Sequence, residues 1–439
     1  MTEDKDLKTN DGNNKGVYFL DLTVENVLCF KERQTLDLSD GNGNPAMWTV
    51  ILGDNGVGKT TLLKCLGSFE PEEIQHTHKD GNLSIDYLPN QTISNELDKN
   101  FYIKASIFNN YNFNNYKKNI FDIYFSYDFI GKEKDFGFYE NLLIFAYSAS
   151  RTYNYSPLSE KKSDENTVES LFSNDVKLIN AEEWLLQTDY SIKSADDEVK
   201  IFYQKKFEKI KQILLKLLPE IEDIQIKNVT KENTRPKVEF KTPYGWVNIR
   251  GLSLGYQTMI GWMVDLANKL FERYPESDNP LEEPAVVLVD EIDLHLHPKW
   301  QKSIMSYLSN IFKKTQFIVT AHSPLIVQSA ENANIVLLRR EGDEVKIYNK
   351  KNSNEINKWR IDQIITSDLF DLDSARSYKY DEIIKRKNEI LQKQELSEED
   401  KKELEEIGKK LDELPIIIDK NKNSDTIDLL LKASEILKG

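Results

Sequence analysis

Residues 48–64 read WTVILGDNGVGKTTLLK. The apolar run Trp48 to Leu52 stops at Gly53, and residues that favour a helix begin at Lys59. Between them, Gly53-Asp54-Asn55-Gly56-Val57-Gly58-Lys59-Thr60 fits the pattern G-x-x-x-x-G-K-S/T. Glycines at these spacings let backbone N–H groups close around phosphate oxygens, and the N-terminus of the following helix adds positive potential. Lys59 would reach the β- and γ-phosphates, and the Thr60 hydroxyl would bind Mg²⁺. The stretch from Gly53 to Thr61 is therefore expected to hold ATP with Mg²⁺. A Gly-rich turn of another kind would not need an apolar strand before it and a helix after it.

Working outward from this loop, Val286-Val287-Leu288-Val289-Asp290-Glu291 is a buried-looking strand ending in two carboxylates. Asp290 is expected in the Mg²⁺ shell, and Glu291 beside it can polarise an attacking water. Such a strand is commonplace alone; it gains weight from standing downstream of the phosphate loop. A second apolar strand, within residues 316–321, ends just before His322, which could hydrogen-bond a γ-phosphate or hold the water. Leu252-Ser253-Leu254-Gly255-Tyr256-Gln257 opens another helix. There a serine hydroxyl and bare N–H groups can face an anion, although serine is also an ordinary N-cap.

Phosphate loop, Ser253/Gly255/Gln257 segment, Asp290-Glu291 and His322 in this order resemble the ABC ATPase superfamily. The match is to its L-S-x-G-x-Q signature, with Leu254 in the third position in place of glycine. The resemblance implies two nucleotides sandwiched between two chains, with Ser253 and Gly255 of one facing the phosphate loop of the other. DEIDLHLHPK (290–299) stands where that family has its interface-crossing D-loop. His295 and His297 there resemble the RecF and overcoming-lysogenization-defect branch. A transporter subunit would have a much shorter interval between Lys59 and Ser253, and the long-coil chromosome ATPases would show sustained heptads within it.

The group most similar is that of the Septu anti-phage ATPases, through AYSASR (146–151), AEEWLLQ (181–187) and KWRIDQIITSDLFDLDSARS (358–377). This resemblance covers most of residues 16–430. It implies an ATP-binding and ATP-hydrolysing sensor or regulator subunit that dimerises around ATP and controls a separate HNH-type endonuclease, with DNA as a further contact of the complex. Two alternatives stay open at this point, a RecF-like repair ATPase that binds DNA itself and a nucleotide-dependent scaffold with little turnover.

The expected fold class is α/β: an ABC-type head, made of a P-loop sheet and an antiparallel β subdomain, from residues 16–150 and 224–350. Strands 48–52, 285–289 and 316–321 should lie adjacent and parallel in it. Residues 1–15 read as a disordered leader, 151–223 as a helical arm or lid, and 351–439 as a C-terminal helical region for oligomerisation or partner docking. In the last of these, Ser397 with Asp400 makes a capping box, and Leu404, Ile407 and Leu411 share a face.

In 439 residues, 39% are hydrophobic and 30% charged, with a formal net charge of −15. That balance argues against bulk attachment to nucleic acid, and Lys205, Lys206, Lys209 and Lys211 read as a solvated helix face rather than a basic groove. Cys29 and Cys65 are too few for a disulfide framework, no run is long and apolar enough to span a bilayer, and the location expected is cytoplasmic. His295 with His297, and His76 with His78, lack further ligands for a metal. Asp371 and Asp373 form a D-x-D pair, but the polar surroundings favour a loop or helix cap over a built-in nuclease.

Overall fold

The computed structural model describes residues 16–77, 83–89, 93, 97, 101–109, 120–126, 129–132, 141–151, 167–173, 176, 178–218, 220–229, 231, 235–350, 353–372, 374–375, 377–393 and 396–412. The leader, His78 and Asp373 lie outside them. The first half runs β1 (Val17–Glu25), β2 (Gln34–Asp37), β3 (Trp48–Gly53), α1 (Lys59–Gly67), β4 (Pro71–Thr77), β5 (Leu83–Pro89), β6 (Tyr102–Asn109), β7 (Ile120–Ser126), β8 (Phe129–Lys132), β9 (Ile144–Tyr147), α2 (Ala181–Ser194) and α3 (Asp197–Leu217). Next come β10 (Asp223–Lys227), β11 (Lys237–Thr242), β12 (Gly245–Asn248), α4 (Leu254–Arg273), β13 (Ala285–Val289), α5 (Pro298–Gln301), α6 (Ile304–Ile311), β14 (Thr315–Thr320) and α7 (Pro324–Ser329). The described chain ends with β15 (Asn334–Glu341), β16 (Glu344–Lys350), α8 (Ser353–Ile356), α9 (Ile361–Ile365), α10 (Tyr378–Leu391) and α11 (Glu398–Asp412).

The central sheet has the order β16-β15-β3-β14-β13-β9. All its pairings are parallel except the β15–β16 hairpin. The three strands expected to be adjacent are neighbours in the order β3, β14, β13. Every residue of β13 and β14 is buried, as strands covered on both faces require. Alternation along each strand divides the core. Val50, Val287, Val289 and Phe317 pack with α4 on one face, while Ile51, Val286, Leu288 and Ile318 pack with α1 and β1 on the other.

The second face is covered by an antiparallel sheet of order β2-β1-β6-β7-β8. Fully buried Gln316 ties the two layers together. Its side-chain oxygen accepts from the Phe19 N–H at 2.9 Å, and its amide nitrogen donates to the Phe19 carbonyl at 2.8 Å. A small sheet, β10-β11-β12, leads into α4.

Helices α2 and α3 share the core of the sheet they lie beside, through Trp184, Leu185, Ile210 and Leu214. Lys206 is buried, donating to Asn268 Oδ1 at 2.9 Å and lying 5.3 Å from the centre of the Trp184 ring. Lys209 bonds Asn279, and Lys211 pairs with Asp223. The lysine run is thus used largely within the fold.

The chain divides into two units at Phe370/Asp371, later than the boundary near residue 351 that the sequence suggested. The reason is packing: Ile364 and Leu369 sit in the core of the first unit. In the second unit, α10 and α11 are joined by a bidentate Arg386–Glu403 pair at 2.8 and 2.9 Å. Asp400 accepts from the Ser397 N–H at 3.0 Å and its own N–H donates to Ser397 Oγ at 3.1 Å, the reciprocal pair of a capping box. No helix among the described residues is long and apolar enough to cross a membrane.

Candidate functional site

β3 delivers the phosphate loop to the carboxyl edge of the sheet. Gly53, Gly56 and Gly58 all have positive φ, at 145°, 79° and 85°. A Cβ on Gly53 would also stand 2.6 Å from the Leu338 carbonyl oxygen, so that position needs glycine for space as well as for backbone freedom. Asp54 and Asn55 are exposed, and Val57 is buried as the anchor of the loop. Lys59 opens α1 and folds back, its ammonium donating to the Gly53 and Asp54 carbonyls at 2.8 Å each. Burial pushes this ammonium below its ordinary pKa, against the pull of Asp290, Glu291, Asp54 and Asp293. Thr61 is buried in the first turn of α1.

β13 and β14 end beside this loop. Thr60 Oγ1 donates to Asp290 Oδ2 at 2.7 Å, across 230 residues of sequence. Thr320 Oγ1 donates to Asp290 Oδ1 at 2.6 Å and accepts from the Glu291 N–H at 2.7 Å. One hydroxyl and one carboxylate oxygen in contact are hard donors suited to Mg²⁺, which is usually held by one or two protein oxygens together with phosphates and water. Among the described residues there is no cluster of three or more His, Cys, Asp or Glu that could hold a metal by itself.

Glu291 has φ +49°, uncommon for a residue with a Cβ. Two groups that the sequence analysis did not assign to the site fix it: Thr320, and Arg151 at the end of the β9 turn. The Arg151 guanidinium donates to the Asp290 carbonyl at 2.6 Å and the Glu291 carbonyl at 2.8 Å. It is 6% exposed, and burial pushes its pKa down to about 10 against the pull of Asp290, Asp293 and Glu291. Arg151 lies in the quoted AYSASR segment, but no spacing rule links it to a strand 139 residues later. His322 follows β14, and its N–H donates to Asp293 at 3.1 Å.

The start of α4 is arranged differently. Ser253 is its N-cap, accepting from the Tyr256 N–H at 3.5 Å. The Gln257 side chain donates to the Leu252 carbonyl at 2.7 Å. A Cβ on Gly255 would lie 2.4 Å from the carbonyl oxygen of His295, itself at φ +63°. Gly255 therefore packs closely on the backbone of His295 in its own chain. His297 caps α5 by accepting from the Lys299 N–H.

Residues 48–328 match the family model described as "AAA domain, putative AbiEii toxin, Type IV TA system", and residues 21–69 match a second AAA-domain model. The Septu protein PtuA of Bacillus mycoides is 27% identical over 77% of this chain and 42% of its own length. The Septu protein PtuA of Bacillus thuringiensis is 25% identical over 76% of this chain and 81% of its own. An Escherichia coli protein named Retron Ec83 probable ATPase is 44% identical over 21% of this chain and 17% of its own length. The chain thus spans less than half of some curated relatives that it matches. An Smc head solved with the C-winged helix domain of ScpA aligns with a TM-score of 0.43 and 16% identity, over 76% of this chain and 97% of that one. With the model match spanning residues 48–328, the chain belongs to this AAA-domain family and is similar to the Septu proteins PtuA.

Proposed function

We propose that this chain binds and hydrolyses ATP as the regulatory ATPase of a Septu-like anti-phage defence complex. The observation that carries the ATPase part is the hydrogen-bonded chain Thr60–Asp290–Thr320, which joins the phosphate loop to the ends of β13 and β14. Thr60 and Asp290 would hold Mg²⁺, which neutralises phosphate charge when bound. Lys59 binds the β- and γ-phosphates, exchanging two carbonyl partners for charged oxygens. Glu291 orients a water and takes its proton as the oxygen attacks the γ-phosphorus and the bond to ADP breaks. His322 steadies the same water or the departing phosphate.

The finer reading rests on resemblance. Ser253, Gly255 and Gln257 of one chain would face the nucleotide on a second chain, and the assembled dimer would control a separate HNH-type nuclease. The test has two parts. Purified protein should hydrolyse ATP only with Mg²⁺, and Glu291→Gln should stop it. DNA cleavage should appear only when an HNH nuclease encoded beside this gene is added. Cleavage by this chain alone would overturn the partner assignment, and ATP binding without turnover would leave a scaffold.

A further inference from the structure

We propose that Arg151 is a positioning residue for hydrolysis, a buried bracket that sets the backbone from which Glu291 acts and ties it to the signature helix α4. The inference rests on reading the site as an ATPase.

Glu291 sits in the left-handed region, a conformation that persists only where the surroundings over-determine it. Both peptide groups flanking its Cα are pinned. On its N-terminal side the N–H is held by Thr320 Oγ1, and the Asp290 carbonyl takes an Arg151 bond at 2.6 Å. On its C-terminal side the Glu291 carbonyl takes the other at 2.8 Å. The planar fork brings a separate nitrogen to each of the two successive carbonyls, Nη1 to Asp290 and Nη2 to Glu291, where a lysine would bring one nitrogen on a flexible stem. The fork is itself fixed, because Arg151 Nη1 also donates to the Ser148 carbonyl at 3.0 Å, and the Asp290 N–H donates to the Tyr147 carbonyl at 2.8 Å.

The guanidinium spends its bonds on carbonyls, leaving the carboxylates of Asp290 and Glu291 to the chemistry. Among the described residues its Nε is buried with no partner, an arrangement that packing alone would not favour. The cation also lies 5.6 Å from the centre of the Trp262 ring, on α4. Tyr147 closes the same bracket, stacking edge-on against Trp262 at 5.7 Å and donating to Asp265 of α4 at 2.9 Å. A shift of α4, whose first turn carries Ser253 and Gly255, is thereby felt at the two carbonyls that aim Glu291.

The experiment measures ATP affinity and single-turnover phosphate release for wild-type, Arg151→Met and Arg151→Lys proteins. Methionine should lower the hydrolysis step by about 10²-fold, the usual effect of misplacing a reacting group by about an ångström, with ATP affinity within about threefold of wild type. Lysine should recover about tenfold of that loss. Unchanged hydrolysis in Arg151→Met overturns the proposal, as does loss of affinity in step with rate. If the methionine protein does not fold, Arg151→Lys decides: reduced turnover at unchanged affinity supports the bracket, and wild-type turnover overturns it. A wild-type protein that binds ATP without turning it over would remove the ATPase reading and this proposal with it.

Discussion

The phosphate loop and the first turn of α4 both carry glycines and a hydroxyl, yet these answer different demands. Gly56 has open space where a Cβ would point and is needed for its φ of +79°. Gly255 sits in an ordinary helix and is needed for space, since the His295 carbonyl occupies the Cβ position. Thr60 reaches a carboxylate from a distant strand, whereas Ser253 caps the helix it begins. The phosphate site is thus closed by partners within its own chain. The first turn of α4 is satisfied locally and leans on His295 of its own chain, so the role proposed for it across a dimer has to be separated from its role in the fold.

The largest effect is expected at the loop. Lys59→Ala should weaken ATP binding by about 10²-fold or more, because the phosphates lose their charged partner; an ATP titration checks it. Glu291→Gln should leave that affinity in place and lower turnover by about 10²-fold, the usual worth of a positioned base. Wild-type turnover in this variant would remove Glu291 from its assigned role.

On the α4 side, Gly255→Ala should destabilise the protein by about 1–3 kcal/mol, as overpacking against a backbone carbonyl does. Thermal unfolding measures this, and an unchanged midpoint would mean that the D-loop yields freely. Ser253→Asp separates the two roles. Aspartate caps a helix as well as serine does, so stability should hold, while its charge repels a phosphate. Turnover should fall about tenfold and recover when this chain is mixed with Lys59→Ala chains, which restores one intact composite site. Heterodimers that form without recovery would confine Ser253 to its own chain.

The smallest effect is expected behind α4. Burial lowers the pKa of Lys206, so the folded protein gives up this proton before the unfolded chain does. Stability should therefore rise with pH from the lowered value up to the ordinary lysine range. Lys206→Met should flatten that rise and change stability by about 1 kcal/mol or less, since Asn268 Oδ1 keeps its bond from Trp184.

Several of these residues were legible in the sequence because their partners are set by chain order. An apolar run of strand length ending at Gly53, Asp290 or His322 marks a strand end, and parallel strands in one sheet bring their ends to one edge. That was enough to bring Lys59, Thr60, Asp290, Glu291 and His322 into one region. Arg151 and Thr320 are not marked by the sequence because Arg151 holds backbone carbonyls of a distant strand end, and Thr320 reaches the Asp290 carboxylate and the Glu291 N–H from a neighbouring strand, contacts that no spacing along the chain indicates. Burial of Lys206 is unmarked for a related reason: a lysine in a helical pattern reads as solvent-facing until the neighbouring α4 is known.

What the sequence determined by itself was the phosphate loop, the order of the core strands' motifs and the α/β class. Each follows from local spacing and the covalent order of strand, loop and helix. Only the tertiary structure decided that β9 lies beside β13, which brings Arg151 to the Asp290 and Glu291 carbonyls, and that Gly255 makes room for His295. Both depend on close approach between segments distant in sequence, where a hydrogen bond or the volume of one methyl group settles the fit, and no pattern of residue types along the chain encodes such distances.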